Sequence, residues 1–375
     1  MATLTLDRVT KRYGKETVLD QVSLSVADGE IVSVFGPSGA GKTVLLRLIA
    51  GMAEPEEGAI LADGEDLIDI APEDRAVGMA FQNFALFPHM TAFDNIASPL
   101  VAQRLGREKV AEGVHQIAKL LKIDHVLGHA PRALSNGQKQ RTALARALVA
   151  APKILLLDDP LRNVDAKLRF EMRLELPRLL QRFGSTVLYV TQDFREAMAL
   201  GDRIAVLLRG KIAQIGTPEE IYDRPANIEV AELFGDPGIN LFEAGVEMIG
   251  RHTAAVTGRA RLPLPSGFEQ AAGRSVTIGV RPEHVGFASE GAEGAFKVRV
   301  AALLPLNDRM VRLLVTEDGR ELYTSREPDG AAMEEGAHGH VAADPAALIV
   351  FDRQSGRRIA SRESEFAGPA SQENL

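Results

Sequence analysis

Gly36-Pro37-Ser38-Gly39-Ala40-Gly41-Lys42-Thr43 fits the pattern G-x-x-x-x-G-K-[ST] at every fixed position. A triphosphate tail needs a concave ring of backbone N–H donors, and glycines let the chain wrap tightly enough to form one. At this spacing Lys42 would reach the β- and γ-phosphates, and the Thr43 hydroxyl would hold Mg²⁺. The flanks agree. Ile31-Val-Ser-Val-Phe35 reads as a buried strand, and Val44-Leu-Leu-Arg-Leu-Ile-Ala50 reads as a helix whose positive end lies under the phosphates. A chance glycine-rich turn is the plain alternative, and the strand–loop–helix setting opposes it.

The chain has 375 residues, room for two or three domains. Its formal net charge of −8 argues against a nucleic-acid partner and against adhesion to anionic lipid. With no cysteine, disulfides, thiolate metal sites and iron–sulfur clusters are excluded. Met1-Ala-Thr-Leu-Thr-Leu-Asp-Arg8 lacks a basic-then-apolar leader pattern. No apolar run approaches the roughly 20 residues that span a bilayer. A soluble, cytosolic chain is expected, touching a membrane only through a partner.

Outward from the loop, residues 3–35 read as β-rich, with Val22, Leu24 and Val26 alternating before a turn at Asp28-Gly29. Gly58 to Gly64 reads as a short strand pair, and residues 92–150 as helical. Ile154-Leu-Leu-Leu157 is the continuous apolar run of a central parallel strand. Ala166 to Phe183 reads as a helix that Pro177 interrupts and Gly184 stops. Thr186 to Val190 is the next strand, and Ile204–Leu208 with Lys211–Ile215 reads as a hairpin. Thr217-Pro-Glu-Glu220 reads as a capping box. Composition shifts near Phe234, where Gly235, Pro237 and Gly238 mark a domain boundary. Beyond it, short alternating runs such as Ser275–Val280 and Lys297–Ala301 predict a small β-barrel. The last dozen or so residues are polar and read as disordered.

An apolar strand ending in acid is the usual complement of a phosphate loop, and the strand from Ile154 ends in Asp158-Asp159-Pro160, with Asp158 placed to hold Mg²⁺. Upstream stand Gln82, in Ala80-Phe-Gln-Asn83, and Leu134-Ser-Asn-Gly-Gln138. In this order these parts resemble the ATP-binding subunits of ABC transporters, over essentially the whole chain. The importer group for maltose and glycerol phosphate is the most similar, through Phe81–Thr91, Asn240–Phe242, Gly279–Glu283 and Leu348–Asp352. The resemblance implies an α/β P-loop NTPase over residues 1–234, with a RecA-like parallel core, an antiparallel β subdomain and a helical subdomain near 85–150. An all-β, oligonucleotide-fold-like barrel for regulation or dimerisation follows over 235–375. It implies that Tyr13 stacks on adenine, that Gly36, Ser38, Gly39, Ala40, Gly41, Lys42, Thr43 and Val44 cradle ATP, and that Thr43, Gln82 and Asp158 surround Mg²⁺. Ser135, Asn136, Gly137 and Gln138 would act in trans on ATP held by an opposing subunit, so two chains must meet head to tail. Two membrane permease subunits, an extracytoplasmic solute-binding protein and a place on the cytoplasmic face of the membrane are implied as well. His89, beside Phe87, Pro88 and Met90, reads as an interface residue and not as a catalyst.

The departures from that group matter as much. Asp159 stands where the group has the glutamate that polarises water, one methylene short. Gln192 replaces the switch histidine and cannot become a cation. Asn136 replaces a glycine, Arg162 a serine, and Val44 a hydroxyl. Binding parts are kept while hydrolysis parts change, so the chain is expected to be the degenerate half of a heterodimer that drives uptake of a carbohydrate, polyol or polyol phosphate, with a homodimeric ATPase of an importer for another solute as the alternative. A non-hydrolysing regulatory subunit is a second expectation. An ABC-type ATPase acting on DNA or ribosomes is a third, opposed by the acidic balance and by the lack of a long coiled-coil insertion between Gln82 and Ser135.

Overall fold

The computed structural model describes residues 2–250, 252–258, 260–306, 309–328 and 333–361. The polar tail expected at the end lies almost wholly outside them. Two compact units emerge, Met1–Pro218 and Glu219 onward.

In the first unit, β1 (Leu4–Tyr13), β2 (Glu16–Val26), β3 (Ile31–Phe35), β4 (Glu57–Ala62), β5 (Glu65–Asp66), β6 (Val77–Ala80), β7 (Ile154–Asp158), β8 (Thr186–Thr191), β9 (Arg203–Leu208) and β10 (Lys211–Gly216) form two sheets. One is antiparallel, in the order β2-β1-β4-β5, and the other runs β10-β9-β3-β8-β7-β6. Strands β3, β7 and β8 are buried at every position, as a sheet covered on both faces requires. Side chains alternate between two cores. Ile154 and Leu156 join Leu45 and Leu48 of α1 (Lys42–Ile49) and the inner face of the antiparallel sheet. Leu155 and Leu157 face the other way. They meet α2 (Ala92–Ala102), α3 (Arg107–Leu120), α4 (Asn136–Leu148), α5 (Ala166–Phe183) and α6 (Phe194–Leu200).

Local signals set these elements. Thr91 with Asp94, and Ser135 with Gln138, form capping boxes at α2 and α4. Gly184, at φ 64°, closes α5. Pro177 does not divide that helix, which runs 18 residues through it.

From α7 (Pro218–Asp223), which starts at the last residue of the first unit, and α8 (Ile228–Leu233), the second unit continues among the described residues in strands and short 3-10 turns. Strands β11 (Asn240–Ile249), β12 (His252–Thr257), β13 (Ala260–Pro263) and β14 (Ser275–Val280) make one sheet with β20 (Ile349–Asp352). The other joins β15 (Val285–Ala288), β16 (Phe296–Leu306), β17 (Arg309–Thr316), β18 (Glu321–Thr324) and β19 (His338–Ala343). Their inner faces share one apolar core that includes Phe242, Val300 and Leu314. The buried Arg281 guanidinium lies 3.9 Å from the Tyr222 ring centroid and donates to the carbonyls of Ala231 and Phe234. That ties α7 and α8 to the strands after the glycine turn. Among the described residues no helix is long and apolar enough to cross a membrane.

Leu156, wholly buried in β7, tests the two-sided core. Leu156→Ala is expected to lower stability by about 2–5 kcal/mol. Urea denaturation of the full chain should show this loss.

Candidate functional site

The register of the parallel strands builds the site. Phe35 pairs with Thr191, and Asp158 with Val190. The turns after β3, β7 and β8 therefore leave the sheet side by side at its carboxyl edge. Gly36 must be glycine because a Cβ there would lie 2.2 Å from the Leu207 carbonyl oxygen. Gly41, at φ +101°, starts α1 against the Val18 carbonyl, which a Cβ would approach to 2.9 Å. A cleft of about 300 Å³ opens over these turns, lined by Val18, Ser38, Gly39, Gly41, Lys42, Thr43, Val44, Gln82, Asp158, Asp159, Arg162, Val190 and Gln192.

Within it the Lys42 ammonium donates to the carbonyls of Gly36 and Pro37, both at 2.7 Å. Burial pulls its pKa below the ordinary lysine value, against the pull of Asp159 and Asp158. The Thr43 hydroxyl donates to Asp158 Oδ1 at 3.2 Å. Burial raises the Asp158 carboxyl above the ordinary aspartate value, while Thr43, Arg47 and Lys42 oppose it. Asp159 is raised for the same first reason and is held down by Arg162. Its backbone is left-handed at φ 46°, and its N–H extends the ladder by donating to Val190 O at 2.8 Å.

A hydroxyl, a carboxylate and an amide oxygen are hard oxygen donors. They suit Mg²⁺, which keeps several waters and shares phosphate oxygens in place of a full protein cage. No cluster of three or more His, Cys, Asp or Glu side chains placed for a metal occurs among the described residues. Thr43, Gln82 and Asp158 are the residues that would hold it.

The structure thus gathers the phosphate loop, Gln82, Asp158, Asp159 and Gln192, with Gly36 and Ala40 buried in the loop's frame. Tyr13 stands 49% exposed at the end of β1, outside the lining. Ser135, Asn136, Gly137 and Gln138 are outside it too. Ser135 Oγ accepts from Gln138 N at 3.3 Å, and Ser135 and Asn136 face solvent at the start of α4. Gly137 is buried where a Cβ would meet Leu168 at 2.2 Å. His89 is exposed, its ring 6.2 Å from that of Phe87. The backbone beneath is fixed by Asn95, which bonds Phe87, Met90 and Thr91.

Sequence reasoning missed two contributors. Glu196 is buried and accepts from Tyr189 OH at 2.8 Å and Thr191 Oγ1 at 3.0 Å, bracing the turn that carries Gln192. Arg162 was read as a departure only, yet its guanidinium reaches into the cleft.

Residues 19–162 match the family model described as ABC transporter, 235–285 the MalK OB fold domain, and 278–351 the TOBE domain. An sn-glycerol-3-phosphate import ATP-binding protein of Chromobacterium violaceum is 42% identical over 363 residues, 96% of each chain. The protein of that name in Escherichia coli K12 is 45% identical over 295 residues, 78% of this chain and 82% of that one. Among solved structures, the dimeric structure of a bacterial ABC transporter cassette superimposes with a TM-score of 0.54 at 33% identity, covering 57% of this chain and 98% of that one. A dimeric post-hydrolysis cassette bound to ADP and phosphate gives 0.53 at 32%, with the same coverage.

Burial raises the Glu196 carboxyl above its ordinary value, although Tyr189 and Thr191 bond it. A carboxyl raised in the fold favours the native state below its unfolded pKa, and that favour is lost as pH rises through the folded value. Glu196→Gln keeps an acceptor oxygen without the charge. Its stability relative to the parent chain is expected to be higher at neutral pH, with the difference shrinking as pH falls. Urea midpoints measured across the acid range check this.

Proposed function

This chain belongs to the ATP-binding subunits of ABC transporters, and from that we propose that it powers uptake of a polyol phosphate or a related polyol or carbohydrate, sn-glycerol 3-phosphate first among them. The observation that carries the substrate class is the 42% identity to a glycerol-phosphate import ATPase across 96% of both chains. The chain is an ATPase of a transport complex, with ATP and Mg²⁺ as its cofactors. Two permease subunits would anchor it at the cytoplasmic face of the membrane and meet a solute-binding protein on the far side.

The residues divide the labour as follows. Backbone amides of the Gly36–Thr43 loop and the N-terminus of α1 receive the phosphates. Lys42 exchanges the carbonyls of Gly36 and Pro37 for the β- and γ-phosphate oxygens. Tyr13, exposed at its strand end, offers a face to the adenine. Thr43 and Asp158, with Gln82 once its amide oxygen is free, would hold Mg²⁺, which would supply charge neutralisation at the phosphates. Ser135 and the start of α4 face outward, to close over ATP bound by a second subunit. Closing and reopening of that dimer would reach the permeases through the segment from Gln82 to His89.

In the finer reading, this chain is the weaker half of a heterodimer. Asp159 is one methylene short of the glutamate that would reach the attacking water, and Gln192 cannot carry the switch charge. Losing about 1 Å of reach costs on the order of a hundredfold in rate. ATP here would hold the dimer closed, while Ser135 and Gly137 complete the partner's site. A homodimer is the second reading, favoured by the dimeric cassettes to which the first unit is similar.

The purified chain alone is expected to hydrolyse ATP near background, and Asp159→Glu with Gln192→His is expected to raise turnover on the order of tenfold or more. Steady-state phosphate release measures both. Full transporter rates from the unaltered chain alone would end the heterodimer reading in favour of the homodimer.

A further inference from the structure

We propose that Arg162 is an internal latch that joins Gln82 to Asp159, withholding Gln82 from the metal and Asp159 from the attacking water. This rests on the impaired-site reading above and gives it a physical cause beyond side-chain length.

The latch is built from two sides. With the Gln82 amide turned so that its oxygen faces the guanidinium, Gln82 Oε1 accepts from Arg162 Nη1 at 2.8 Å and from Nε at 3.3 Å. A carbonyl oxygen has two lone pairs, and this geometry uses both. The same oxygen cannot then ligate a cation. On the other side, Arg162 Nη1 lies 3.7 Å from Asp159 Oδ2, a carboxylate only 8% exposed. Guanidinium is always charged and planar, so the hold on Gln82 does not titrate at any working pH, while the contact with Asp159 is an ion pair without a hydrogen bond. Its positive charge also opposes entry of a divalent cation beside Gln82.

The backbone fixes the grip. Arg169, one turn into α5, donates to the carbonyls of Leu161, Arg162 and Val164, each at 3.2 Å. Leu161 and Val164 are buried in the helical core. Arg162 N bonds back to Asp159 O at 3.2 Å, and Asn163 Nδ2 donates to the main-chain oxygen of Gln82 at 2.8 Å. The loop therefore holds Gln82 by both its backbone and its side chain. A serine at 162, too short to reach across, would leave both groups open.

The test reads metal binding and not activity alone. The full chain saturated with ATP is titrated with Mn²⁺ and followed by electron paramagnetic resonance. Arg162→Ser is expected to tighten Mn²⁺ on the order of tenfold, because it frees the Gln82 oxygen and removes a positive charge beside the cation. Adding Gln82→Ala to Arg162→Ser should cancel the gain. Arg162→Lys keeps the charge but loses the fork, and is expected to shift Mn²⁺ in the same direction; it also answers the question should the serine variant not fold. Folded Arg162→Ser and Arg162→Lys chains that bind ATP yet match the parent in Mn²⁺ affinity overturn the latch. Slow turnover by the parent beside such unchanged titrations would leave the impaired-site reading standing and remove only the latch. Fast turnover by the parent would remove the impaired-site reading and, with it, the latch.

Discussion

The in-register parallel pairing of β3, β8 and β7 is the constraint on which the site depends. Asp158 lies opposite Val190 and Phe35 opposite Thr191. A slip of one residue would turn Leu155 and Leu157 out of the helical core and Ile154 and Leu156 out of the other. Two apolar faces therefore lock the strand ends to within one residue. The acid at the end of β7 and the loop after β3 have little freedom left. Ligand chemistry at this edge is inherited from packing on both sides of the sheet.

Much of this was legible because the signals are local. The phosphate loop, the two-sided apolar strands and the Ser135–Gln138 cap each announce themselves within a few residues. Packing decided the rest. The glycine turn at Gly235 marks a change in composition, but the compact units divide at Pro218, because Arg281 reaches back to Tyr222, Ala231 and Phe234. No pattern around residue 230 could have shown that a guanidinium some fifty residues on would bind those carbonyls. Pro177 is the converse case. A proline reads as a break, yet Leu176, Leu179 and Leu180 bury against the core on either side and carry the helix through it. Arg162 was visible as an odd residue, and its meeting with Gln82 across 80 positions was not.

The signature segment shows one set of atoms serving two ends. Ser135 caps α4 by accepting from Gln138 N through Oγ. Gly137 is small because Leu168 fills the space beside it. Both features stabilise the first turn, whose residues lie outside the lining of the chain's own cleft. A single chain thus has an anion-receptive helix start and a phosphate cleft that do not meet. This geometry fits an enzyme whose unit of action is a pair.

Charge decides what the cleft can do well. Lys42 and Arg162 are cations, and Asp158 and Asp159 are carboxylates whose ionised forms burial already disfavours. A triphosphate entering this cleft meets positive charge that attracts its oxygens before, during and after bond cleavage. Such contacts tighten binding of the ground state and the transition state alike, and uniform binding does not speed the chemical step. Acceleration must come from a group that acts on the water alone. At the end of β7, Asp159 lies in the cleft with its Oδ2 3.7 Å from Arg162 Nη1. These four side chains thus set how firmly a triphosphate is held, while a group acting on the water sets how fast it is cleaved.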